Sequence, residues 1–381
     1  MKIALVHDYL KEYGGAERVL HTLHEIWPEA PIYTIFCIKD SPAGKSFEDA
    51  EIRESWFRKL PFCEKLISPF RFLLPAIWGS FNFSQYDLVI SSASWAVTKG
   101  FSGPNTKEIC YCHTPPRYLY GYETSRDWKK NFLVRLYGTL VNHFMRMYDY
   151  EQAQKVNFFI ANSREVQQRI KKFYQRESVV INPPVEVKRL TANGLRQMAK
   201  SSQPYFLAGG RLELPKNFDL IIKACREVGV PLKIYGTGSR LKYLKLIAGP
   251  KVEFLGRISD KERQELMADC RAFIVAAEDE DFGITPVETM ATGRPVIAFR
   301  GGGYLETVVE GKTGVFFDEP TVAGLVKVLR EFDGIEGKIK PEDCRKQAEK
   351  FDKQQFVNQF REFVDKATNR KHATLEAQSR N

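Results

Sequence analysis

Two glutamates, Glu280 and Glu288, flank a glycine in the stretch EDFGITPVETMATGRPVI, which runs from Glu280 to Ile297. The first follows an apolar run, RAFIVAA (Arg271–Ala277), and the second falls just inside the next helical pattern. A short apolar run bounded by charges reads as a buried strand. A helix that starts directly after a parallel strand aims free N–H groups at an anion, so this junction is a candidate phosphate site. Thr285, Pro286 and Glu288 also spell a helix start: a capping hydroxyl, a proline at the first helical position, and a glutamate that reaches back to the cap's amide. On that pattern Glu288 is half of a capping box.

Cations stand on neighbouring loops. GGRLELPKNFD places Arg211 and Lys216 between a strand and a helix, where a guanidinium and an ammonium can neutralise a diphosphate. YGTGS (Tyr235–Ser239) and LGRISD (Leu255–Asp260) form two more strand-end loops, and together with Glu280 and Glu288 they favour one nucleotide-diphosphate site. YGGAERVL sets Gly14 and Gly15 at the turn after the first strand, where glycine lets backbone approach a phosphate. There is no GxGxxG, so a nicotinamide dinucleotide site lacks its main support. Asp279-Glu280-Asp281 is a D-x-D of the kind that holds a divalent ion. Arg211 and Lys216 already offer the charge such a metal would supply, so no metal is expected. CYCH (Cys110–His113) has no second cluster to complete a zinc site.

These loops need strands to position them. Strand-like runs alternate with helical patterns from KIALV to TGVFF, which means parallel sheets with right-handed crossovers. In the first half the strands are KIALV, IYTIF, YDLVISSA, EICYC and NFFIAN; SVVINPPV, ending in Pro183–Pro184, reads as a hinge. The expected fold is α/β, two tandem doubly wound Rossmann-like domains facing a cleft, with boundaries at 1–183 and 184–353. The helix near Gln354–Lys366 carries Phe356, Val357, Phe360, Phe363 and Val364 on one face and is expected to return, within 354–381, to the first domain. A length of 381 residues suits two domains, and 43% hydrophobic with 27% charged residues is ordinary globular composition. The net charge of +10 favours acidic partners. Seven scattered cysteines without a CxxC fit free thiols in a reducing cytoplasm. MKIALVHDYL carries His7 and Asp8 and reads as a first strand rather than a signal peptide, and no apolar run is long enough to span a membrane.

EDFGITPVETMATGRPVIA resembles the E-x7-E signature of family 4 retaining glycosyltransferases, which have the two-lobed GT-B fold. The Arg211/Lys216 loop, GGAERVL and NSREV resemble the same family in the same order. CYCHTPPRYLY further resembles a bacterial and archaeal subgroup that transfers mannose from GDP-mannose during surface polysaccharide assembly. The resemblance implies that Glu280 contacts the donor sugar and Glu288 the ribose. It implies that Phe282, Gly283, Ile284 and Thr285 cover the diphosphate with their amides, that Arg211 and Lys216 bind the phosphates, and that Gly14 and Gly15 close over them. The base would pack near Arg257 and Ile258. His113 would lie beside the anomeric carbon, so His113 and Glu280 are the expected catalytic residues. It further implies a metal-independent, retaining transfer in which the departing phosphate accepts the acceptor's proton. The co-substrate would be a nucleotide sugar, GDP-mannose, with no other cofactor. A sugar-nucleotide epimerase of the same fold and a non-catalytic basic nucleotide or nucleic-acid binder are the alternatives; no nucleic-acid module is recognisable.

The acceptor side shows a different pattern. Ile52–Asp87 breaks the αβ rhythm and mixes Trp56, Phe57, Phe62, Phe70, Phe72 and Trp78 with Arg53, Arg58, Lys59, Lys65 and Arg71. Arg117–Gly138 is a second basic-aromatic stretch. Rings that bury and cations that meet anionic headgroups suit a membrane surface, whereas core-packed helices with solvated cations are the plainer alternative. The expectation is a glycan or lipid-linked acceptor, and a cytoplasmic enzyme peripheral to the inner face of the membrane.

Overall fold

The computed structural model describes residues 1–125, 132–191 and 204–378, the side chains of 369–378 excepted. The chain divides into two compact units, one built from Met1–Tyr122, the described part of Trp128–Pro184 and the chain from Lys353, the other from the described parts of Glu123–Asp127 and Val185–Asp352.

In the first unit the described residues form a seven-stranded sheet. Its strands are β1 (Ile3–His7), β2 (Ile32–Thr34), β3 (Ile52–Glu54), β4 (Leu88–Ala93), β5 (Lys107–Cys112), β6 (Phe158–Ala161) and β7 (Ser178–Val180). The order is β3-β2-β1-β4-β5-β6-β7 and every pairing is parallel. Every residue of IALVH and of LVISSA is buried, as in strands covered by helices on both faces. The chain runs outward from β1 to β3 and then returns to β1's other side at β4. The β1/β4 junction is therefore the point where the winding reverses and where loops at the strand C-termini splay apart.

Two of these strands depart from the sequence expectation. β3 lies inside the basic-aromatic stretch Ile52–Asp87; its residues are only half buried, so no apolar run announces it, and pairing with β2 makes it a strand. β7 lies in the segment expected as a hinge, where pairing with β6 and the Ile181 N–H bond to the Ala161 carbonyl (3.0 Å) extend the sheet.

The second unit holds a six-stranded parallel sheet among its described residues. Its strands are β8 (Phe206–Gly209), β9 (Leu232–Tyr235), β10 (Val252–Gly256), β11 (Phe273–Val275), β12 (Val296–Phe299) and β13 (Gly314–Phe317), in the order β10-β9-β8-β11-β12-β13. Here the winding reverses between β8 and β11.

The C-terminal helix Lys353–Gln378 belongs to the first unit. Phe356, Phe360 and Val364 are buried in one cluster with Leu20, Leu23, Ile109 and Tyr111. The Phe360 ring lies 5.9 Å from Trp27 and 6.2 Å from Tyr111, and the Lys107 ammonium donates to the Ala367 carbonyl at 2.7 Å. The expected stripe thus fills one face of the first sheet. Phe360→Ala is expected to cost about 3–5 kcal/mol, the range for deleting a fully buried ring. Urea unfolding is the check; an unchanged midpoint would mean that the helix adds nothing to this core.

Candidate active site

In the second unit, the candidate residues collect at the β8/β11 junction. Lys216 ends the loop after β8 and Glu280 lies in the loop after β11. Their side chains meet at 2.5 Å, with the glutamate largely buried and the ammonium about one-third exposed. The Tyr304 hydroxyl donates to the same carboxylate oxygen at 3.1 Å. Asn217 adopts a left-handed φ of 50° and directs its amide to the Ala276 carbonyl at 3.0 Å, tying the β8 loop to β11. Arg211 is exposed on the same loop. Backbone bonds join its neighbour Leu212 to Thr237 (2.9 Å) and to Arg240 (3.1 Å), and join Gly236 to Gly256 (2.6 Å). The loops after β8, β9 and β10 therefore form one fabric, with Arg257 exposed and Ile258 half-buried at its β10 edge.

The Glu280–Gly283 loop is held from below. Phe282 is buried and packs against Phe351 at 5.3 Å, so its side chain serves as an anchor while its backbone stays at the helix start. Gly303 donates to the Glu280 carbonyl at 2.8 Å, and a Cβ on Gly303 would sit 2.4 Å from the Phe282 Cα. Only glycine permits that approach.

The helix start differs from the sequence reading. The helix is Ile284–Ala291, and its cap is Gly283 at φ 89°, a conformation that favours glycine. Thr285 and Pro286 are then its second and third residues. Glu288 stands a full turn in, out of reach of the cap, so the capping box does not form. Glu288 is instead buried and paired with Arg263 at 2.7 Å, and Arg263 also reaches Asp260 at 3.0 Å. The carboxylate's attraction outweighs burial and raises the Arg263 pKa, keeping the guanidinium charged. Arg263 and Tyr304 were not singled out in the sequence. GGGY, one residue beyond β12, was a usable signal for Tyr304, whereas the Arg263–Glu288 pair joins separate elements and leaves no spacing to read.

In the first unit, Gly14, Gly15 and His113 occupy loops after β1 and β5. Gly14 caps the helix Gly15–Ile26, and its amide donates to Glu17 Oε2 at 2.8 Å. The other Glu17 oxygen lies 3.5 Å from His7 Nε2. His7 Nδ1 is 3.1 Å from the Ser92 hydroxyl, which is 2.8 Å from His113 Nε2. All four side chains are buried or nearly so. Burial alone would lower His7 and raise Glu17, but their mutual hydrogen bond and attraction reverse both shifts, raising His7 and lowering Glu17, the directions that favour a charged pair. His113 moves the other way. Burial, aided by the charge on His7, pushes it from 6.5 down to about 3.

These shifts favour one direction for the chain: a charged His7 donates from Nδ1 to Ser92, and where Ser92 in turn donates to His113 Nε2 the His113 proton sits on Nδ1. Asp8, the next residue, accepts from the amides of Trp95 (2.6 Å) and Ala96 (3.2 Å) and from the Thr98 hydroxyl, which fixes the segment after β4. His7 and Ser92 were missed in the sequence, where a histidine and an aspartate ending an apolar strand were the available sign.

Residues 13–189 match the family described as Glycosyltransferase Family 4, and residues 196–351 match Glycosyl transferases group 1. Together they span most of the chain. It is a family 4-like glycosyltransferase of the GT-B fold. Among its relatives is the alpha-1,3/1,6-mannosyltransferase ALG2 of Dictyostelium discoideum, 27% identical over 84% of this chain and 87% of the relative. The ALG2 of Candida glabrata is 24% identical over 81% and 78%. The Anabaena HepE structure, solved with UDP and glucose, superposes with a TM-score of 0.70 at 19% identity, covering 96% of this chain and 99% of HepE. Sucrose-phosphate synthase of Thermosynechococcus elongatus gives 0.73 at 16% identity over 96% and 99%. As a family member the chain is a hexosyltransferase.

The relay in the glycosyltransferase's first unit makes a pH prediction. Unfolded His113 protonates near 6.5, folded His113 only near 3, so its contribution to stability is lost as pH falls through that window. His7 has the opposite sign: its raised value stabilises below 6.5 and the gain is lost as pH rises through the folded value. Nitrogen-15 NMR of the histidines between pH 5 and 8 is expected to show neutral His113 with its proton on Nδ1, and Ser92→Ala is expected to release that tautomer. A His113 that titrates near 6.5 in the wild type contradicts the relay.

Proposed function

We propose that this glycosyltransferase moves mannose from GDP-mannose to a glycan or lipid-linked saccharide, retaining the anomeric configuration and using no metal ion. The observation that carries this reading is the Lys216–Glu280 contact at the β8/β11 junction, beside the helix start at Ile284. A cation, a carboxylate and free helix amides are what a diphosphate and a sugar hydroxyl require. The mannose assignment is supported by relatives named as mannosyltransferases over more than four-fifths of the chain. A nucleotide-sugar donor is supported by the HepE complex with UDP and glucose.

In the proposed reaction the bond from the anomeric carbon to the β-phosphate oxygen breaks, and its electron pair leaves with the diphosphate. Lys216, Arg211 and the amides at Ile284 and Thr285 stabilise that charge, the work a metal performs elsewhere. Glu280 turns to the sugar hydroxyls, and Glu288, braced by Arg263, to the ribose. The acceptor hydroxyl attacks the face that the phosphate is leaving, and its proton passes to the phosphate oxygen. In the first unit, neutral His113 donates from Nδ1 to the reacting sugar and adds no positive charge to a positive transition state.

A panel of GDP-mannose, UDP-glucose and UDP-N-acetylglucosamine, each with and without EDTA and read by mass spectrometry, tests the proposal. Slow hydrolysis of GDP-mannose in preference to the others, unchanged by EDTA, is expected. Preference for a UDP-sugar overturns the donor, loss in EDTA with recovery in Mg²⁺ or Mn²⁺ overturns metal independence, and an isomerised sugar indicates an epimerase.

A further inference from the structure

The first unit's longest described interior helix, Phe132–Lys155, is inside out. The residues it buries are Gly138, Asn142, Met145, Asp149, Gln152 and Ala153, mostly polar or small. Each polar group among them is satisfied: Asn142 by Arg71 (2.9 Å) and the Tyr118 carbonyl (3.2 Å), Asp149 by Lys99 and by the Tyr120 hydroxyl (2.7 Å), and Gln152 by Lys155 (3.1 Å). On the opposite side stand Leu136, Leu140, Phe144 and Met147, each more than half exposed. Their spacing of four, four and three residues makes one continuous stripe, about 16 Å long at 1.5 Å per residue.

The stripe is broadened by its neighbour. Arg71 lies over the Tyr137 ring at 5.6 Å while bonding Asn142, and the Tyr137 hydroxyl donates to the Pro69 carbonyl. These contacts fasten the segment that carries exposed Phe70 and Phe72 against this helix. A contiguous apolar surface of this kind marks an interaction site.

The charges choose the occupant. From Phe132 to Tyr148 the sequence has no Asp or Glu, and its formal charges at neutral pH are Arg135 and Arg146. Both are exposed, and eleven residues apart they fall on the same flank of the helix. Two copies of the face over Phe132–Tyr148 pressed together would bring arginines together with no carboxylate from that stretch; the exposed Glu151 stands one turn beyond Met147, at the end of the stripe. An anionic headgroup layer pairs with those arginines and admits the stripe to the acyl boundary. No helix among the described residues is long and apolar enough to cross a membrane, so the contact is one that lies on the surface.

We propose that the outward face of the helix over Phe132–Tyr148, with Phe70 and Phe72, docks the first unit onto an anionic lipid bilayer. This rests on the lipid-linked form of the acceptor given above, and it assigns the contact to a helix rather than to the cations of Ile52–Asp87. Of those, Arg53 is engaged by Glu51 (2.6 Å) and Tyr33 (2.7 Å), Arg58 by Glu54 (3.2 Å) and Arg71 by Asn142 (2.9 Å), while Phe57 and Trp78 are buried. In the second stretch, Arg117–Gly138, residues 126–131 lie outside the described residues.

Flotation with phosphatidylglycerol–phosphatidylcholine vesicles, against phosphatidylcholine alone, at low salt is the test. Wild type is expected to float with the anionic vesicles, and L140E/F144E at least tenfold less. R135A/R146A is expected to lose the dependence on lipid charge. Both variants change exposed side chains, and light scattering follows their oligomeric state. Equal flotation of wild type and L140E/F144E overturns the proposal, as does no flotation of wild type. So does a wild-type dimer that L140E/F144E splits without altering flotation, which assigns the face to a second copy. A wild type that floats but hydrolyses no nucleotide sugar overturns the donor reading and leaves the surface standing.

Discussion

The contact between Lys216 and Glu280 can exist only because β8 and β11 are neighbours in the second sheet while lying far apart in sequence. The winding of the sheet reverses there, so the two strand-end loops diverge around the pair instead of packing over it. The pair itself is partly open to solvent. An ion pair of that exposure is worth at most about 1 kcal/mol, so a ligand with two negative charges can displace the carboxylate at little cost. Tyr304 and the Gly303 contact then keep the Glu280 loop in place once its partner has left.

The remaining charges of the molecule divide by burial. Arg263–Glu288 and Lys99–Asp149 are both secluded from water. Removing one partner of a pair like that strands a buried charge, at a cost of about 3–5 kcal/mol, so these pairs fix geometry and do not exchange. The His7–Glu17 pair is also secluded, and it reaches through Ser92 to a third group, His113, whose pKa burial lowers with the charge on His7 adding to the effect. Exchangeable charge in one unit and a fixed relay in the other are different tasks, and each depends on which loops its own sheet brings together.

Where an apolar run was continuous, the sequence disclosed the fold: β1, β4, β5 and the strands of the second sheet carry their burial in their composition. The returning C-terminal helix was legible for the same reason, its stripe of Phe356, Phe360 and Val364 having no purpose without a partner. β3 and β7 were hidden because three-residue edge strands take their identity from pairing. The helix start at Ile284 was misplaced because Thr285, Pro286 and Glu288 imitate a cap that Gly283 actually provides through a left-handed φ. The family signature brought Glu280, Glu288, Arg211 and Lys216 into view. Arg263 and Ser92 act through cross-element contacts that no spacing in a single chain records, while Tyr304 and His7 left only local signs, the GGGY run and the polar end of an apolar strand. The outward face of Phe132–Lys155 escaped notice because its apolar residues have the ordinary period of a core-facing helix; only the burial of Asn142 and Asp149 reveals which side faces in.

The central claim is that Lys216 exchanges Glu280 for the donor's diphosphate. Calorimetry with GDP measures it directly on wild type, Lys216→Ala and Glu280→Gln. Losing a charge-assisted hydrogen bond of roughly 1.5–3 kcal/mol makes Lys216→Ala bind GDP about ten- to a hundredfold more weakly. Glu280→Gln, freed of the competing carboxylate, is expected to bind GDP at least as tightly as wild type. Wild-type affinity in Lys216→Ala, or an equal loss in both variants, would contradict the exchange.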